Sequence, residues 1–151
     1  MLAQSLGALT TLTALKLSQN WLGDAGVEAL APALSRLSQL AVLVLANNAI
    51  GAAGAAALAQ PLGALAALTQ LDLGLNRLAD AGAEALAPAL SRLSRLAVLR
   101  LQGNGLSDGS LVHLMPALAC LPNLSQLNLL MNKKFSNAGE AQLSASFPGV
   151  R

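Results

Sequence analysis

The chain is poor in the residues that chemistry usually needs. Its 151 residues hold one cysteine, one histidine, one tryptophan, two phenylalanines and no tyrosine, and only 11% are charged. A lone cysteine, Cys120, cannot close an internal disulfide, so the fold gains nothing from an oxidising compartment and a cytoplasmic setting is expected. One histidine and one cysteine also fall short of the ligand sets of zinc sites, so no metal centre is expected. His113 precedes a core leucine in a predicted helix and reads as a boundary residue. The chain has no Gly-Lys-Ser/Thr loop, no Gly-x-Ser-x-Gly elbow and no carboxylate pair near a plausible cleft, so neither a cofactor nor catalysis is expected. Nine bases against seven acids leave a net charge of +2, and the longest basic run is Lys133-Lys134. Nothing there tracks a phosphate backbone, which argues against nucleic acid as a partner. The first residues, Met1-Leu2-Ala3-Gln4-Ser5-Leu6, lack the charged and apolar blocks of an export signal.

Aliphatic residues are what the chain has instead. Hydrophobic residues make up 54% and mean hydropathy is +0.57, which excludes disorder. Ser38 to Leu71 carries no charge, but Gln39, Asn47, Asn48, Gln60 and Pro61 interrupt it, so no membrane span is expected.

The organisation shows when the asparagines are aligned. Asn20, Asn48, Asn76, Asn104 and Asn132 stand 28 residues apart, and leucines precede each at fixed offsets. The first unit reads Leu12-x-x-Leu15-x-Leu17-x-x-Asn20, and the others begin at Leu40, Leu68, Leu96 and Leu124. Leu22, Ile50, Leu78 and Leu106 follow two places after the asparagine. The fifth unit has Lys134 there and Phe135 one place later, as if one residue were inserted. A Leu-x-Leu alternation points both leucines to one face of a short strand. The asparagine can satisfy backbone groups at the turn that leaves it, stacking as a ladder.

This pattern resembles the leucine-rich repeat over essentially the whole chain. Its period and Gly-x-x-x-Leu-Ala-x-x-Leu segments are similar to the ribonuclease-inhibitor-like subclass, as in intracellular NOD-like receptors and Ran GTPase-activating proteins. The resemblance implies an α/β fold: a right-handed solenoid with a parallel sheet of about five short strands on the concave face and helices on the convex face. The domain reading is a single unit over 1–151, with a partial repeat at 1–11, repeats starting near 12, 40, 68, 96 and 124, and a divergent C-terminal cap at 132–151.

The second half of each unit has helical spacing, as in Leu30, Leu34 and Leu37 or Leu86, Leu90 and Leu93. Asp24, Asp80 and Asp108 stand at the helix starts and read as caps. Pro32, Pro61, Pro88 and Pro116 fall in or near the helices, which predicts bent or split helices. Residues 7–45 and 63–101 are more alike than adjacent units, which points to a duplicated two-unit block. Leu2, Leu6 and Leu9 hold the places of Leu30, Leu34 and Leu37 one period earlier, so the N-terminal end is expected to be uncapped and open to further repeats or self-association.

Two further motifs are absorbed by the repeat. Gly103 to Gly109 mimics a dinucleotide loop, but its last glycine is one residue too far along and Asn104 and Leu106 already have repeat roles. Asn123-Leu124-Ser125 is a glycosylation sequon built around a core leucine.

The positions between the strand leucines, Lys16, Val44, Asp72, Arg100 and Asn128, form a wet stripe, with Trp21 and Arg77 just past the asparagines. Lys16, Trp21, Asp72, Arg77, Arg100 and Asn128 are the candidate protein-binding residues, because Trp and Arg are frequent interface anchors and the charges can set specificity. Asn20, Asn48, Asn76, Asn104 and Asn132 are assigned to structure. The expected function is a noncatalytic protein-recognition or scaffolding module, with a regulator of a small GTPase or a self-assembling repeat unit as alternatives.

Overall fold

The first leucine of each Leu-x-Leu pair lies in a short strand and the second just past its end, and the first two leucines of each following stripe lie in a helix. The computed structural model describes residues 5–133 and 135–148; Leu2, Lys134 and Gly149 lie outside them. In chain order the elements are β1 (Ala14–Lys16), α1 (Gly23–Leu34), β2 (Val42–Val44), α2 (Ala52–Ala64), β3 (Gln70–Asp72), α3 (Ala79–Leu90), β4 (Val98–Arg100), α4 (Asp108–Ala119), β5 (Gln126–Asn128) and α5 (Asn137–Ser146). The strands form one parallel sheet in the order β1-β2-β3-β4-β5. The register sets Leu15, Leu43, Leu71, Leu99 and Leu127 abreast on the buried face and Lys16, Val44, Asp72, Arg100 and Asn128 abreast on the other. The core is a run of aliphatic layers between sheet and helices, in which leucines such as Leu34, Leu62, Leu71 and Leu90 are fully buried. Burying each contributes ~1.5–3 kcal/mol.

The strands pair over three residues, yet the ladder continues past them. Leu17 N donates to Val44 O (2.8 Å) and Gln19 N to Ala46 O (3.0 Å), and the same pair recurs through Leu75 N to Gln102 O (2.7 Å) and Gly103 N to Leu130 O (2.9 Å). It stops where the residue before each asparagine turns left-handed: Gln19, Asn47, Leu75, Gly103 and Met131 all have φ between 55° and 64°. Only one of these five is glycine, so the other four hold a conformation that L-residues seldom adopt.

The asparagines hold these turns. Asn76 Oδ1 accepts from Asn48 N (2.9 Å) and Ile50 N (3.1 Å) of the preceding unit, while its Nδ2 donates to Leu45 O (3.0 Å), Leu73 O (2.9 Å) and Gly74 O (3.3 Å). Asn48 serves Asn20 and Leu22 in the same way, and Asn132 serves Asn104 and Leu106. Asn48, Asn76 and Asn104 are buried, and the carboxamide satisfies backbone groups that water cannot reach.

The aspartates do not cap their own helices. Asp24 Oδ1 accepts from Gly51 N (2.6 Å), Asp80 from both the amide and the hydroxyl of Ser107, and Asp108 from Ser136 N (3.0 Å). Each therefore bonds the residue that opens the next unit's helix. Helices α1 and α3 begin without a side-chain cap, whereas Ser107 and Ser136 cap α4 and α5. Glycine leaves room for the bridge: a Cβ at Gly54 would lie 2.5 Å from Asp24 Oδ1, and one at Gly139 2.5 Å from Asp108 Oδ1. Ala52 holds the equivalent place in the second unit, and Ala79 N there donates to Asn104 O (3.0 Å). The span of 27 residues from Asp24 to Gly51 and from Asp80 to Ser107 becomes 28 from Asp108 to Ser136, which accommodates the extra residue before buried Phe135.

The helices run unbroken through their prolines. Each proline lies in the second half of its helix. The carbonyls left without a donor by Pro32, Pro88 and Pro116 belong to the exposed residues Glu28, Glu84 and Val112, where water can serve them. At the first end Ser5 and Leu6 are helical, Leu6 is buried, Leu9 is 52% exposed, and the outer edge of β1 has no strand partner among the described residues. At the other, α5 covers β5 incompletely and leaves a groove of about 260 Å³ lined by residues including Leu127, Leu129, Phe135, Leu143 and Phe147.

Two outcomes follow for stability. Asn76→Leu strands buried amides and carbonyls and should cost at least ~1–3 kcal/mol by denaturant titration. Asn20→Leu, whose exposed side chain donates only to Ser18 O, should cost clearly less; equal losses would contradict the ladder. Burial works to raise the Asp80 carboxyl, but the Ser107 hydroxyl and amide, the Lys133 charge and the Ser110 amide outweigh it and hold it below the ordinary aspartate value. A depressed folded pKa means that this carboxylate stabilises above the unfolded value and that its contribution is lost as pH falls through the folded one. Stability should fall more steeply below about pH 4 in the natural chain than in Asp80→Asn, and parallel curves would refute the bridge.

Candidate protein-binding face

Two strips of side chains face away from the core. The first is the sheet face. Parallel register places Asp72 beside Arg100, whose Nη1 lies 4.0 Å from Asp72 Oδ2. Asp72 also accepts from Gly74 N (2.9 Å), and its side chain is less exposed than that of Arg100. It therefore orients the guanidinium more than it meets solvent. Asn128 Oδ1 accepts from Leu130 N (3.0 Å), so this side chain shapes its own turn. Lys16 is exposed and makes no ion pair or hydrogen bond among the described residues. In the adjoining column Gly74 leaves space that the Gln102 side chain fills; a Cβ there would lie 2.2 Å from Gln102 Nε2. Gln102 Oε1 is buried there without a hydrogen-bond partner among the described residues.

The second strip is the rim formed by the turns around the asparagines. Trp21 is 83% exposed, Met131 78%, Leu130 59% and Leu75 45%. These are four of the six exposed large hydrophobic residues among the described ones, and all four stand in the turns that leave the strands. A groove of about 310 Å³ runs between Trp21 and Leu75, with Asn47, Ala49, Asn76, Arg77 and Gly103 completing its lining. Trp21 and Ala49 are held left-handed, at φ 52° and 57°, and Arg77 N donates to Ile50 O (2.7 Å). The walls are thus set by backbone bonds between units.

The six candidate residues divide between the strips. Trp21 and Arg77 meet in the rim groove, while Lys16, Asp72, Arg100 and Asn128 stay on the sheet face. Of the ladder asparagines only Asn76 lines the groove. Leu75, Leu130 and Met131 were not among the candidates. Their signal was a large aliphatic residue where other units place polar or small ones: Gln19, Asn47 and Gly103 in the column of Leu75 and Met131, and Ser18, Ala46, Gly74 and Gln102 in that of Leu130. Elsewhere, His113 and Cys120 line a shallow depression between α3 and α4, with His113 Nε2 4.0 Å from Glu84 Oε2. No three histidine, cysteine or acidic side chains come together to hold a metal among the described residues. No described helix is long and apolar enough to cross a membrane.

Comparison with known proteins bears on the fold. The family model described as Leucine Rich repeat matches residues 8–31, 40–59 and 66–87. Among solved structures, the tropomodulin C-terminal domain of Caenorhabditis elegans is similar at a TM-score of 0.79, with 13% identity over 97% of this chain and 92% of that one. The actin-binding site 2 of leiomodin-1 is similar at 0.76, with 16% identity over 97% of this chain and 86% of that one. No curated protein sequence matches.

The rim should tolerate change in its side chains but not in its backbone. Trp21→Ala and Arg77→Glu should each leave unfolding free energy within ~0.5 kcal/mol in urea titrations. Gly103→Val should cost more than ~1 kcal/mol, since φ is 64° there and a Cβ would meet Leu75 Cδ2 at 2.8 Å. A neutral Gly103→Val would contradict the fixed turn.

Proposed function

Because this chain carries leucine-rich repeats and folds as their solenoid, we propose that it is a noncatalytic protein-recognition module that binds a protein partner through the strand face and the adjoining rim. The observation that carries this reading is that Trp21, Leu75, Leu130 and Met131 are exposed in the turns that follow the strands, Trp21 and Leu75 across one groove, beside the Lys16 and Arg100 face. Exposed apolar side chains that share a groove mark an interaction surface. Area points the same way. Five strands span roughly 19 Å at ~4.8 Å per gap, so the strand face alone offers only a few hundred Å², against ~800 Å² per partner in a stable interface. The rim has to contribute.

The 28-residue period and the helix in every unit support the ribonuclease-inhibitor-like subclass. The lone exposed thiol of Cys120 supports a reducing, cytoplasmic setting. Regulation of a small GTPase rests on that subclass alone, and unchanged GTP hydrolysis on adding the chain would remove it. Self-association is a second reading, favoured by the apolar groove between β5 and α5. Mass that rises with concentration in light scattering would support it. Leiomodin-1 uses a similar fold as an actin-binding site, so actin belongs among the first partners tried.

Proteins captured by the natural chain, then purified and tested pairwise, should bind a Lys16→Glu/Arg100→Glu variant and a Trp21→Ala/Arg77→Glu variant at least about tenfold more weakly. Binding by both variants as tight as by the natural chain would reject the surface.

A further inference from the structure

The charges of this chain are sorted by element. Six of the seven acids, Asp24, Glu28, Asp80, Glu84, Asp108 and Glu140, lie in the helices. Among the described residues, the strands and the turns leaving them hold four bases, Lys16, Arg77, Arg100 and Lys133, and one acid, Asp72. That acid is already engaged by Gly74 N and Arg100. Because Lys133 acts on Asp80, Lys16, Arg77 and Arg100 less Asp72 leave the described face and rim net positive by two. Arg77 is exposed on the wall of the Trp21–Leu75 groove, and its guanidinium makes no ion pair or hydrogen bond among the described residues.

We infer that the Trp21–Leu75 groove takes an apolar side chain from an acidic peptide segment of the partner, with a neighbouring carboxylate on Arg77. This inference rests on the protein-recognition reading and names the chemistry of what is recognised. Trp21 and Leu75 offer apolar walls on two sides of a depression of about 310 Å³, which suits a single side chain. The groove is built before the partner arrives. Asn47 N donates to Gly74 O (2.9 Å), Arg77 N to Ile50 O (2.7 Å) and Leu75 N to Gln102 O (2.7 Å), so little backbone remains to be ordered on binding. A guanidinium beside that slot binds a carboxylate through two donors, and the positive face draws acidic chains toward it. Basic or neutral segments gain nothing from this field.

A random-peptide library panned against the full chain tests the inference. Trp21 is the only tryptophan and tyrosine is absent, so indole fluorescence reports this groove directly. Enriched peptides should pair a large apolar residue with Asp or Glu and shift the Trp21 emission. Arg77→Glu should weaken them at least about tenfold and restore binding to a version with Lys in place of the acid. Peptides that bind without moving the emission and are weakened only by Lys16→Glu/Arg100→Glu would overturn the groove while leaving the protein-recognition reading intact. Enrichment of peptides without acids would also overturn it, as would a Trp21→Ala change in oligomeric mass, which would make the occupant a second copy. A library that yields no binder while the full-length partner still binds overturns the peptide mode alone. Failure of every partner removes both readings.

Discussion

The buried asparagine carboxamide is the interaction on which the rest of this solenoid depends. A repeat that leaves its strand must turn the backbone away from the sheet, and that turn leaves amides and carbonyls inside the coil. Asn48, Asn76 and Asn104 answer them from within, each carboxamide reaching both its own unit and the one before it. Aliphatic layers supply most of the favourable free energy, but they are nondirectional and would tolerate slippage. The carboxamide is directional. It fixes where one unit ends relative to the next and makes neighbouring units a cooperative array.

Holding the turn also fixes what the turn displays. With Gln19, Asn47, Leu75, Gly103 and Met131 left-handed, the side chains on either side of each asparagine are thrown outward, and the rim gains Trp21, Leu75, Leu130 and Met131. The same constraint that closes the coil builds the groove beside Arg77. A rigid backbone here carries side chains that differ from unit to unit, so the outward surface can diverge without disturbing the fold.

Most of the fold is legible in one sequence because the period is strict. Leucines and asparagines in constant register specify parallel strands abreast, and Leu15, Leu43, Leu71, Leu99 and Leu127 lie as their spacing requires. The site was less legible, for physical reasons. Spacing places Asp24 at a helix start, but its bond to Gly51 depends on how closely successive coils pack, which no local pattern carries. The Asp72–Arg100 contact follows from register, yet its effect of occupying the one acid on the face shows only with Gly74 N in view. Leu75 and Met131 read as ordinary aliphatic residues among many. Their exposure follows from left-handed backbone that asparagine and glycine announce but leucine does not.

The most direct measurement is amide hydrogen exchange at Asn48 and Ile50, whose N–H groups donate to the Asn76 carboxamide and lie on no strand. If that carboxamide locks the coil, both amides exchange only with global unfolding, as slowly as the strand-flanking amide of Leu45. Exchange at the rate of exposed loop amides such as Trp21 would mean that the turn opens freely and that the asparagines decorate the coil without holding it.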